Sequence, residues 1–145
     1  MKYLLLIPVG LVAGCSMIDG MNQTEPDVAP PKVEAPPPPA DARTIEDFDT
    51  TTEADRVAAT AAGSGGRFLG QTVASLGDPG QPGFWMMTPL VDKETPGRLE
   101  FPARGTSVDV TLMPSDGASS RVSLAALRLL EAPLGDLSEL RVYAE

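Results

Sequence analysis

Seven of the sixteen residues in "PDVAPPKVEAPPPPAD" (26–41) are proline. Proline fixes φ and removes a backbone donor, so neither a helix nor a central strand runs through such a stretch. It favours extended polyproline II, and fifteen residues of that kind reach on the order of 45 Å at about 3.1 Å each. Any compact fold has to be built on the far side of this spacer. Of the 145 residues, 79 lie in 67–145. That is enough for one small core, near the lower size range for independent folding. Aromatic residues make up 5% of the chain, so the core is expected to be aliphatic.

The formal net charge is −9 and histidine is absent. Phosphate neutralisation needs clustered Lys and Arg, so nucleic acid is not an expected partner, and an electrostatic hold on anionic headgroups is not expected either. Without histidine there is no Ser-His-Asp or Cys-His arrangement within the chain, and the commonest metal ligand is missing. No cofactor is expected.

Lys2 precedes an uncharged run, "YLLLIPVGLVAG", from residue 3 to 14. Twelve residues span roughly 18 Å as helix, too short for a bilayer core of about 30 Å. The run has the size and flank of a secretory signal. Its end, "LVAGC", resembles the lipobox of bacterial lipoproteins: an aliphatic residue, two small residues and cysteine. The resemblance implies cleavage between Gly14 and Cys15, diacylglycerol on the Cys15 sulfur and acylation of the new amine. Several acyl chains, at about 0.8 kcal/mol per buried CH₂, give a stable anchor. Ser16, where aspartate would signal inner-membrane retention in the enteric version of the family, implies an outer-membrane address with the domain facing the periplasm. Cys15 is the only cysteine, so no intrachain disulfide is available. The alternative for Cys15 is a chance cysteine in an ordinary secreted protein.

Residues 15–66 read as the lipidated N-terminus and an acidic linker; 16–66 hold ten acidic and three basic residues. Within them Thr52 is positioned to cap a short helix over 53–62, with Glu53 and Asp55 in its first turn and Gly63 past its end. The alanines of this segment give propensity but little to bury, which predicts a marginal helix or a weakly attached arm. "GSGG" (63–66) reads as a joint.

From residue 67 the punctuation is that of β-structure. "RFLGQTVASL" (67–76) is a strand ended by "GDPGQPG". "FWMMTPLV" (84–91) is an apolar run in which one of Met86 and Met87 should be buried. "GRLEFPA" (97–103) places Leu99 and Phe101 on one side. "TSVDVTLMP" (106–114) alternates, with Val108, Val110 and Leu112 facing one way. "RVSLAALRLLEA" (121–132) enters as strand and turns into a helix capped by Ser123, stopped by Pro133 and Gly135. "ELRVYAE" (139–145) closes with Leu140, Val142 and Ala144 inward. The expected fold is α+β: a small β-barrel-like domain over 67–145 with one short helix, preceded by a cleaved signal (1–14) and a disordered linker.

"GTSVDVTLMPSDG", "RVSLAALRLL" and "LRVYAE" together resemble the double-psi β-barrel of the rare lipoprotein A family, with Gly105, Val108, Val110, Ser123, Ala125, Ala126 and Val142 in comparable places. "QTVASLGD" (71–78) is similar to that family's opening strand. The resemblance implies an envelope lipoprotein, and in some members cleavage of peptide-stripped glycan strands. The family's active pattern has acidic residues after a Gly-rich segment, a downstream histidine and "NDRGP" on the barrel. Here there is no histidine, "PSDGAS" stands in place of "NDRGP", and "DPGQPGFWMMTPL" replaces the Gly-rich segment. Further stretches, "TIEDFDTTTEADR" and "ASLGDPGQPGFWMMTPLV", resemble short alphaproteobacterial secreted proteins often named D-galactarate dehydratase or altronate hydrolase. That name implies a sugar-acid dehydratase. Abstracting a proton α to a carboxylate needs a positioned base and usually a metal for the enolate, and no residue pattern here supplies them.

The carboxylates to inspect are Asp78, Asp109 and Asp116; two of them 5–9 Å apart would suit glycosidase-type chemistry. As turn residues beside Gly or Pro, Asp78 and Asp116 have a plain structural role instead. Arg98, Arg104 and Arg121 are candidates to grip a carboxylate. Trp85, with Phe84, is either a sugar-stacking surface or the plug of the core. The groove drawn from these is Asp78, Trp85, Asp116 and Arg121, with no catalytic or metal-binding residue assigned. The function expected is a non-enzymatic, outer-membrane-anchored binding or structural domain, its partners the membrane through the lipid and peptidoglycan or an envelope protein.

Overall fold

The computed structural model describes residues 35–61 and 66–145. The signal run, the Gly14–Cys15 cleavage site and Ser16 lie outside the described residues.

Six strands form the domain: β1 (Arg67–Leu76), β2 (Trp85–Thr88), β3 (Thr95–Phe101), β4 (Thr106–Pro114), β5 (Ser120–Val122) and β6 (Ser138–Ala144). They close into a barrel in the order β1-β5-β2-β4-β3-β6. Two contacts are parallel, β1 with β5 and β2 with β4, and the other four are antiparallel. The small α+β barrel expected from the strand pattern is what the chain forms.

The ring has an internal two-fold. Exchanging β1, β2, β3 with β4, β5, β6 maps each neighbour relation onto another of the same sense: β1∥β5 onto β4∥β2, and β1/β6 onto β4/β3. No repeat is visible in the amino-acid sequence, because the symmetry lies in strand connectivity and the two halves use different residues to fill it.

Alternation along the strands points one face of each inward. Met86, Leu99, Val108, Leu112, Val122, Leu140 and Val142 are each 0% exposed and fill the interior with aliphatic side chains. Met87, one residue on from Met86, is only half-buried. Gly97 lies where β3 is squeezed between β4 and β6: a Cβ there would sit 2.5 Å from both Leu112 Cδ1 and the Tyr143 carbonyl oxygen. A chain of hydroxyls enters the barrel. Thr72 and Ser120 hydroxyls are 2.9 Å apart, Ser120 donates to Thr88 at 3.0 Å, and Thr88 accepts from the Leu90 amide at 3.3 Å. The hydroxyls thus cross from β1 through β5 to β2. Ser138, opposite Ala74, keeps a buried hydroxyl with no partner among the described residues.

Helix α3 (Leu124–Leu129) follows β5 directly. Ser123 caps it, accepting from the Ala126 amide at 3.3 Å, and the same oxygen accepts from the Trp85 amide at 3.2 Å. One hydroxyl therefore starts the helix and ties it to β2. The helix ends in a Schellman turn: Ala132 N–H donates to the Leu127 carbonyl and Glu131 N–H to that of Arg128. The left-handed residue this turn requires is Glu131, at φ 55°. It precedes Pro133 and Gly135, so the helix stops before either of them acts.

The arm behaves differently from the weakly attached segment its alanines suggest. α1 (Ile45–Phe48) and α2 (Glu53–Thr60) both begin with capping boxes, Thr44 with Asp47 and Thr52 with Asp55. Ala59 is 4% exposed and belongs to the hydrophobic core. A methyl group is small, yet it suffices here because β4 lies directly beneath the helix. The end of the proline run is folded back as well: Ala35 is buried and the Pro36 carbonyl accepts from the Thr50 hydroxyl.

Candidate functional site

Asp78 belongs to the connection between β1 and β2, and Trp85 opens β2. Asp78 Oδ1 accepts from the Gly80 amide at 2.8 Å, closing an Asx turn. Trp85 faces away from Met86, yet it is only 5% exposed. The 77–83 segment folds over it: Trp85 Nε1 donates to the Gln81 carbonyl at 3.1 Å, and a Cβ on Gly77 would sit 2.4 Å from the indole. Phe84 is 6% exposed. Neither ring presents a face to solvent, so no sugar-stacking platform exists at this point.

Asp116 lies in the exposed turn between β4 and β5, and Arg121 projects from β5, between Ser75 of β1 and Met87 of β2. β5 runs parallel to β1 and antiparallel to β2. The 77–84 connection therefore lies beyond the C-terminal end of β5 and the 115–119 turn before its N-terminal end. Asp78 with Trp85 and Asp116 occupy opposite ends of that strand, with the exposed Arg121 between them. Asp109 is engaged elsewhere: Arg98 Nε meets its Oδ1 at 2.8 Å, and Arg98 Nη2 donates to the Ala61 carbonyl at 3.0 Å. Arg104 is exposed in the 102–105 turn.

Two other constellations are assembled by the fold. At the end of the barrel where β1 starts and β6 stops, a cleft of about 600 Å³ opens. Arg67 and Leu69 of β1 form one wall, Leu90, Val91 and Lys93 of the β2–β3 connection another, and Asp92 and Glu145 add negative charge at its margin. An apolar floor with both signs of charge around it suits an extended, amphipathic ligand better than a small ion. The only advance signal was "VDKE" (91–94), a charged loop on the heels of an apolar run.

The second constellation surrounds Asp49, whose side chain is 2% exposed. Arg128 Nη1 from α3 approaches its Oδ2 at 2.7 Å and Arg56 Nη2 from α2 at 3.4 Å. Thr51 donates to Oδ1 through both hydroxyl and amide. Glu46 Oε1 stands 3.8 Å from Arg128 Nη2. In the sequence Asp49 is one of ten acids in an acidic run, and nothing local sets it apart. Between β6 and β3, Tyr143 donates to Glu100 Oε2 at 3.0 Å; that bond to a carboxylate pushes the Tyr143 hydroxyl above its ordinary pKa. Among the described residues no group of three or more Asp, Glu, Cys or His gathers in a way that could hold a metal ion.

No family profile, no curated protein and no solved structure matches the chain.

Proposed function

We propose that this chain is an envelope lipoprotein, anchored through Cys15 to the outer membrane, whose barrel faces the periplasm as a non-enzymatic module that holds a partner. The observation that carries the reading is the Asp49 clamp. The segment that leads from Cys15 toward the domain is pinned to α3 by a buried, doubly paired carboxylate. An anchored module that must present one face benefits from a fixed exit point for its tether. The filled interior supports the same reading, since a ligand has to be met at the ends or outside of the barrel. The nominated carboxylates support it too: Asp78 closes a turn and Asp109 pairs with Arg98.

Mass spectrometry of the protein from its host tests the anchor. Wild type is expected to carry acyl mass on Cys15, and Cys15→Ser to lose both that mass and membrane fractionation. Wild type without acyl mass overturns the anchoring. Cosedimentation of the full chain with purified peptidoglycan then separates a glycan partner from a protein one.

A second reading is glycan cleavage of the rare lipoprotein A type. The two-fold of the strand order favours the architectural part of that resemblance, because two interlocked halves are what a double-psi barrel requires. It predicts release of soluble fragments from peptide-stripped glycan; no release above a boiled control discards it.

A further inference from the structure

The two neighbours of β1 cover it unequally. β6 pairs with it from Arg67 to Ala74, whereas β5 pairs only at Ala74, Ser75 and Leu76. Among the described residues, no strand pairs with residues 67–73 on the edge facing away from β6. Among the described residues, no backbone hydrogen bond outside the strand ladders reaches it either. Amide and carbonyl groups left open on a strand edge are a template for one more strand.

The side chains of this edge do nothing to blunt it. "RFLGQTV" (67–73) has no proline and no lysine, and Arg67 is its one charge. Phe68 and Val73 remain 55% and 46% exposed on its outer face. The surroundings restrict what can enter. The 115–119 turn is held to β2 by the Ser115 amide on the Thr88 carbonyl at 3.2 Å. Leu90 packs against Gly70, where an added Cβ would lie 3.5 Å from Leu90 Cδ2. Seven residues span at most roughly 23 Å at about 3.3 Å each, interrupted by a register shift between Phe68 and Gly70, and the open edge ends at the cleft beside Arg67, Leu69 and Leu90.

We propose that this edge is a strand-addition site: an extended segment of a partner protein, rich in β-branched residues, pairs with residues 67–73 of β1 and ends in the cleft. β-Branched side chains are the natural cross-strand neighbours of Phe68 and Val73, and the near absence of charge along the edge favours an uncharged segment. The proposal rests on the binding-module reading and gives that module a partner class.

Hydrogen exchange on the purified full chain in detergent tests it, with a capped seven-residue peptide of alternating valine and threonine as the probe. The probe is expected to slow exchange by about tenfold at saturation at those amides of residues 67–73 that face away from β6. Successive N–H groups of a strand point to opposite sides. N-methylation of the valine amides and of the threonine amides should therefore differ, one abolishing the protection and the other leaving it. No slowing at millimolar probe, slowing elsewhere only, or equal behaviour of the two methylated probes overturns the proposal. So does protection, before any probe is added, of the amides in 67–73 that face away from β6: dependence on protein concentration would then identify a second copy, and independence the chain's own residues. Retention of the chain by peptidoglycan with no probe binding discards the edge and keeps the module; release of glycan fragments discards the module itself.

Discussion

Asp49 and Arg128 stand 79 positions apart in the chain and 2.7 Å apart in the fold. The carboxylate is buried and the guanidinium is about one-third exposed, with side-chain exposures of 2% and 32%. Removing the carboxylate strands two arginines that water partly reaches. Asp49→Ala is expected to destabilise the full chain by about 2 kcal/mol, below the range for a wholly buried pair. Urea unfolding of Asp49→Ala, Arg128→Ala and the double variant checks it. The double variant should cost less than the two single changes combined. Additive costs would mean that the clamp carries no coupling.

That pair also marks the limit of what local pattern reveals. β4 was legible residue by residue, because Val108, Val110 and Leu112 alternate with polar neighbours and the period of a half-buried strand is two. Ser123 was legible as a cap for a similar reason: the preference acts over three residues. The order in which the strands pair around the barrel was not legible, since the parallel contact of β1 with β5 joins Ala74 to Ser120 through no local signal. The groove drawn through Asp78, Trp85, Asp116 and Arg121 assumed proximity that the direction of β5 denies. Asp49 carries no local signal of burial, because that burial depends on Arg128, which the chain supplies long after the arm.

Asp47 and Asp55 make the docking of the arm sensitive to acid. Backbone amides of Arg43 and Thr44 and the Thr44 hydroxyl hold Asp47 below its ordinary value of 3.8; for Asp55 the Thr52 hydroxyl contributes most, followed by the Thr52 amide. Both pKa values are depressed in the folded arm, so their stabilisation is complete above 3.8 and drains away as pH falls through the folded values. Amide exchange at Thr44 and Thr52 should accelerate below that pH while strand amides of β4 stay protected. Thr52→Ala, which removes the cap, should loosen α2 at neutral pH in the same way, by about 1 kcal/mol.

Gly97 is required for contact rather than for backbone freedom. A methyl group there would meet the Leu112 side chain, which can shift, and the Tyr143 carbonyl, which is held in the β3–β6 ladder. Gly97→Ala is expected to cost about 2 kcal/mol by forcing the strands apart. A thermal melt showing no loss would mean that β3 and β6 approach less closely than described.

Glu131 offers the opposite sign. Its φ of 55° is left-handed, a conformation that costs an L-residue roughly 1 kcal/mol and a glycine almost nothing. Its side chain is exposed, so trimming it removes no packing. Against the gain stands the larger unfolded-state entropy of glycine, which returns part of it. Glu131→Gly should therefore stabilise the protein by about 0.5 kcal/mol. Glu131→Val, which adds β-branching at the same φ, should destabilise it. Denaturant midpoints for the two variants should move in opposite directions; movement in the same direction would mean that the Glu131 side chain, and not its backbone, decides how α3 ends.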